Sequence, residues 1–227
     1  MNSYERYVRT IKNESVDFLP CIPILMAFAT HHIGSNYKQF VTDYRVLVQA
    51  NEVCINDFGY DQWSAISDPF RETSGLGAEL IYPEDAVPRC VKPILQDNQD
   101  FTRLQVPDPY QAQRMLDRIM AVKEMRKRAK DEYSVMGWVE GPAAEAADLR
   151  GVTEFLTDLL TQPDYAYELM GFCIDTAIRF ALAQLKEGAD TIGIGDAIAS
   201  QVSPELYHDL IFPHEYRLMQ AIKEAGG

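Results

Sequence analysis

Apolar, strand-like runs alternate with stretches of helical period along the whole chain, and this alternation restricts the fold more than any other feature. The strand-like runs are 18–29, 61–67, 133–139 and 191–195. Ser3 caps a first helix with Tyr4, Tyr7, Val8 and Ile11 on one face. Phe40, Tyr44, Leu47, Cys54, Ile55 and Phe58 trace a second, which stops at Gly59. A third starts at Asp108 and Pro109 and runs through Leu116, Ile119 and Met125 to Ala129. Two more follow Gly151, the second starting at Pro163 and closed by Gly188. Ser203 and Pro204 open a last helical region, interrupted by Pro213. Pro20 and Pro23 count against full ladder bonding of the first run, although its continuous hydrophobicity suits a strand buried on both faces. Between residues 68 and 107, two short apolar pieces, 79–82 and 90–95, lie among glycines and prolines and predict a β-hairpin insertion.

Alternation of this kind predicts an α/β fold: a parallel sheet with helices packed outside it, about four βα units in one domain spanning 1–227. A doubly wound sheet and part of an eight-stranded barrel both fit the spacing. The chain ends on a helix cap, where the next strand of an α/β chain would begin, so further units are expected downstream. Without them the outer strands are open edges, which a second copy, as a homodimer, would also close.

Acidic residues number 34 against 21 basic, a net charge of −13, which repels nucleic acid and anionic lipid surfaces. The longest apolar run is too short and too rich in proline to span a membrane, and no basic region precedes an apolar stretch at the N-terminus. These features predict a cytoplasmic protein that binds a small molecule. Cys21, Cys54, Cys90 and Cys173 are dispersed without a paired motif and read as buried free thiols.

In parallel sheets the residues just past the strand ends converge on one face. His31 and His32 follow the first run, Asp68 the second, Glu140 the third and Asp196 the fourth. Asp68 is the catalytic candidate, as a buried carboxylate holding a cationic or NH-rich substrate, or as a proton donor if burial raises its pKa. It equally reads as a turn aspartate set by Pro69. His31, His32, Glu140 and Asp196 are substrate-binding candidates; Glu140 and Asp196 have structural readings as loop residues. The two adjacent histidines have no third ligand at a recognisable spacing, so no metal site is predicted. Gly193-Ile194-Gly195 lies inside a strand-like run and is no dinucleotide fingerprint. His208 and His214 read as solvent-facing or helix-packing side chains.

The segments 57–61 (Asp-Phe-Gly-Tyr-Asp), 67–70 (Ser-Asp-Pro-Phe), 136–151, 187–200 and 203–207, in this order and separation, resemble the uroporphyrinogen decarboxylase superfamily across nearly the whole chain. The resemblance implies a (β/α)8 TIM barrel of which this chain is the N-terminal portion. Its decarboxylases bind a polycarboxylate tetrapyrrole with an arginine-rich motif after strand one and an aspartate after strand two. This chain has the aspartate, Asp68, but reads Ala-Phe-Ala-Thr-His-His-Ile-Gly at 27–34, and places Asp148 and Ala197 where the family has a tyrosine and a serine. Replacing cations by an acid weakens polyanion binding. The chain is therefore more similar to the corrinoid-dependent methyltransferases, which move a methyl group between a corrinoid protein and a thiol activated by zinc. Their zinc motif, His-x-Cys-Gly, falls beyond Gly227. The resemblance thus implies zinc in the intact protein, none in this chain alone, and no activity of this chain by itself. A porphyrinogen decarboxylase and a non-catalytic binding module are the alternatives.

Overall fold

The computed structural model describes residues 1–227. Helix α1 (Ser3–Ile11) is capped by Asn2, whose side chain accepts from the Glu5 N–H, and not by Ser3. The run 18–29 forms no strand. Residues 19–25 carry no regular structure and lead into α2 (Met26–His32). Pro20 and Pro23 withhold two ladder donors, and the segment is held instead by one two-way contact. The Asp61 N–H donates to the Cys21 carbonyl at 2.9 Å, and the Asp61 carboxylate accepts from the Cys21 N–H at 2.7 Å. Phe18, Leu19, Ile22 and Ile24 remain exposed, so the predicted burial on both faces does not occur.

The helix expected through 40–58 is broken into α3 (Tyr37–Thr42) and α4 (Tyr44–Phe58). Asp43 adopts an extended conformation between them, and its side chain caps α4 at the Arg45 N–H. Gly59, at φ +70°, ends α4. Strand β1 pairs only over Gln62–Ser64, and α5 (Arg71–Gly75) follows it. The hairpin insertion is present but short: β2 (Leu80–Ile81) runs antiparallel to β3 (Arg89–Cys90). Helix α6 (Gln113–Ala129) starts later than expected, because Asp108 is used in a turn, its carboxylate accepting from the Tyr110 N–H. Then come β4 (Ser134–Glu140), α7 (Pro142–Arg150), α8 (Val152–Thr161), α9 (Pro163–Lys186) and β5 (Thr191–Gly195). A one-turn α10 (Pro204–Leu206), capped by Ser203, passes through a π-helical turn at Tyr207–Ile211 into α11 (Phe212–Glu224), with Pro213 in its first turn.

The sheet is parallel, in the order β1-β4-β5, so three of the four expected strands pair. Alternation along β4 separates its two faces. Val135 and Val139 pack under the helices with Met125, Ile119, Phe180 and Leu218, whereas Met136, Trp138 and Glu140 occupy the opposite face. Gln184 of α9 ties helix to strand, accepting from the Trp138 N–H and donating to its carbonyl, at 2.9 and 3.0 Å. Cys54 and Cys173 are buried thiols, but Cys21 is exposed, because the first run is not a buried strand, and Cys90, in the short strand β3, is only partly buried. His208 is exposed, and His214 packs against Tyr167. No helix is long and apolar enough to cross a membrane.

Candidate functional site

At the C-terminal ends of the strands lies a cavity of about 200 Å3, walled by Met26, Ile66, Asp68, Pro69, Trp138, Glu140, Gly195 and Ala197. Its shape follows from the glycines of β5. A Cβ at Gly193 would coincide with the Trp138 ring, and one at Gly195 would stand 3.0 Å from it, so the indole lies flat across a strand that has no side chains there. The Trp138 Nε1–H donates to Glu140 at 3.2 Å, which fixes both side chains on this face.

Glu140 also accepts from the Arg71 Nη2 at 2.6 Å. Arg71 is fully buried and lies beside Glu72, which accepts from the Glu140 N–H at 3.0 Å. Burial drives the Glu140 carboxyl up to about 7; Arg71 pulls it down and Glu72 pushes it up. Farther back, Glu145 accepts from the Thr73 hydroxyl at 3.0 Å, and burial with the charge of Glu72 holds its carboxyl well above the ordinary range. Asp148, one turn along α7, is pushed up to about 8 by burial and by the charges of Glu140 and Glu72. Glu72, Glu140 and Asp148 thus share one guanidinium, with Glu145 beside them, and burial raises the pKa of all four.

Asp68 behaves oppositely. Burial raises its pKa, but the charges of Arg114 and Arg71 and the bond from the Ser67 hydroxyl outweigh that and hold it below the usual carboxylate range. Its partner Arg114 bonds it directly, and the Phe70 N–H donates to it at 3.2 Å. It therefore remains an anion with its acceptors engaged, the reverse of what a proton donor needs.

The other expected residues are placed differently. Asp196 lies between two residues that line the cavity, but its carboxylate turns away and accepts from the Ala143 and Ala144 N–H groups at 3.2 and 2.6 Å. It caps α7 from just past β5, because Gly141, the residue before α7, has no capping side chain and admits Asp196 at 2.5 Å from where a Cβ would stand. Burial raises its carboxyl to about 7. His31 and His32 do not follow a strand; they end helix α2, at the opposite end from Met26. His32 bonds Asp57 at 2.7 Å and stacks with Phe28 and Phe58, and His31 faces Asp85, so neither joins the cavity.

Trp138, Met26, Arg71, Glu72, Glu145 and Arg114 were not anticipated. The Ala143-Ala144-Glu145-Ala146-Ala147-Asp148 run carries the signal that was available: acids one turn apart, flanked only by alanines, sit where a helix is packed closely on all sides.

Residues 2–227 match the family described as Uroporphyrinogen decarboxylase (URO-D). The chain belongs to the URO-D family. Among curated relatives, the methylcobamide:CoM methyltransferase MtbA of Methanosarcina mazei is 33% identical over 108 residues, 47% of this chain and 32% of that protein. MtbA of Methanosarcina acetivorans is 23% identical over 97% of this chain and 66% of its own length. The uroporphyrinogen decarboxylase of Aeromonas salmonicida is 20% identical over 96% of this chain and 64% of its own length. The chain thus spans just under two thirds of these relatives where the match runs end to end. A solved methyltransferase from Methanosarcina mazei superposes with a TM-score of 0.88 at 19% identity, covering 98% of this URO-D chain and 67% of the other. The URO-D chain therefore shares the α/β, TIM-barrel type of fold of that methyltransferase.

Proposed function

We propose that this URO-D family chain is the N-terminal portion of a cytoplasmic barrel enzyme. It transfers a methyl group between a corrinoid, presented by a partner corrinoid protein, and a thiol or related small acceptor. The observation that carries the reading is Glu140: a carboxyl titrating at about 7, beside an indole, in a cavity whose other walls are Met26, Ile66, Pro69, Gly195, Ala197 and the ionised Asp68. Methyl transfer to a thiol sheds one proton. The thiol gives it to Glu140, the sulfur lone pair forms the new S–C bond, and the Co–C electron pair leaves with the corrinoid. A thiol of pKa about 8.5 lies roughly 1.5 pH units above Glu140, so the transfer costs about 2 kcal/mol. Trp138 and Arg71 hold the carboxylate in place for it.

Zinc enters the resemblance as the group that holds the thiolate in the methyltransferases. No group of three or more His, Cys, Asp or Glu side chains lies where it could hold a metal ion, so the residues present do not fit zinc. A tight stoichiometric zinc site in the purified chain would contradict this.

A tetrapyrrole bearing many carboxylates is disfavoured, since no arginine or lysine lines the cavity and Asp68, held ionised, repels anions. Titrating the chain with methylcobalamin and with a uroporphyrin, followed by absorbance, separates the readings. A saturable corrinoid shift without a porphyrin shift is expected; the reverse pattern refutes the proposal. In the intact protein Glu140→Gln should lower the methyl-transfer rate by roughly 100-fold or more, the ordinary contribution of a positioned base.

A further inference from the structure

A second cavity, of about 370 Å3, is bounded by the end of α3, the start of α4, α5, Tyr82 and the first turns of α6, and shares no wall residue with the one described above. Arg114 connects the two. Its Nη2 bonds Asp68, which lines the first cavity, while Arg114 itself is a wall of the second. The side chain is 7% exposed, and its Nε and Nη1 have no hydrogen-bond acceptor. A buried cation with open donors favours an oxygen ligand more strongly than any exposed arginine does.

The surrounding chemistry agrees. Helix α6 begins at Gln113 without a side-chain cap, so the positive end of a 17-residue helix meets the cavity. Gln113 and Ser74 line the cavity, and both have side-chain donors. The one wall carboxylate, Asp117, is already engaged, by Arg118 and by the Tyr44 N–H at 2.9 Å. Arg118, fully buried behind it, adds a second cation whose Nε and Nη1 also lack acceptors.

We propose that this cavity binds a small oxyanion, a carboxylate or phosphate group, held by Arg114, Gln113 and Ser74, and that the bound anion shares the Arg114 charge with Asp68. The site thereby regulates the first cavity through a side chain the two share. It does not depend on which reaction the first cavity catalyses.

Calorimetric titration of the chain with inorganic phosphate and, separately, with succinate, at constant ionic strength set by chloride, tests this. One-to-one saturable binding of either probe is expected, and which probe binds identifies the source of the oxyanion. Gln113→Glu and Ser74→Asp each place a carboxylate in the cavity and should weaken binding by roughly tenfold or more. Both positions are at least partly exposed, so the fold is retained, which circular dichroism verifies. The Arg114 Nε–Hε resonance, assigned through Arg114→Lys, should shift with the same saturation curve. No saturable binding by either probe up to about 20 mM overturns the proposal, as does binding that survives both substitutions.

Discussion

Replacing Glu140 by glutamine tests the central electrostatic claim without any assay of activity. The carboxyl titrates at about 7 in the folded chain, against an ordinary value of 4.5, because burial outweighs Arg71. A raised carboxyl favours the folded state most below pH 4.5, where both states hold the proton. That contribution is lost as pH rises through about 7, and it is constant above. At 1.36 kcal/mol per pH unit, the rise is worth about 3 kcal/mol at pH 8. Glutamine has the shape of the protonated acid and does not titrate, so Glu140→Gln escapes the loss. Urea unfolding of the parent and the variant at pH 5, 6, 7 and 8 should show the variant gaining on the parent by about 2.5 kcal/mol across the series, most steeply between pH 5 and 7. Two parallel stability curves would refute the reasoning, because they would mean that the carboxyl has the same proton affinity folded and unfolded.

Gly193→Ala should destabilise the chain by about 1–3 kcal/mol and shift the tryptophan emission, since the added methyl coincides with the Trp138 ring; an unchanged melting temperature would contradict the flat indole. Asp196→Ala removes the cap that α7 cannot supply for itself and should cost roughly 1 kcal/mol in urea unfolding at pH 8, with Asp196→Asn recovering most of it. Asp61→Asn weakens the buried bond from Arg6 at 2.6 Å and the tie to Cys21, and should expose residues 18–25 to faster limited proteolysis than in the parent.

The strands that pair were legible because their apolar runs are short, free of proline and bounded by turn residues; 191–195 was read with the bounds it has, and 133–139 with an offset of one residue. The run 18–29 was misread because hydrophobicity says only that a segment is apolar. Two prolines decide whether its backbone can join a ladder, and here they do not allow it. The candidate site divides along the same line. Glu140 and Asp68 were found because they stand at or beyond strand ends, a property of position in sequence. Arg71, Glu72 and Glu145 lie on helices, where a charged residue usually faces water, and only the packing of α5 against α7 shows that these are buried. Asp196 follows β5, as the pattern indicates, but the direction of its side chain depends on the uncapped start of α7, which pattern alone does not reveal.

A single structural choice underlies the separation of roles between the two carboxylates of the cavity. Asp68 and Glu140 line the same space, yet one is held ionised and the other close to neutrality. Both are buried, so desolvation pushes both upward; the difference lies in the neighbours. Asp68 has Arg114 to itself, supported by the Ser67 hydroxyl, whereas Glu140 shares Arg71 with Glu72 and stands near Glu145 and Asp148. One guanidinium cannot neutralise several acids, so protons supply the balance. It follows that Arg114 and Arg71 are not interchangeable cations: weakening the Arg114 bond should raise Asp68 toward the behaviour of Glu140, while adding a positive charge near Arg71 should draw protons out of the whole cluster at once.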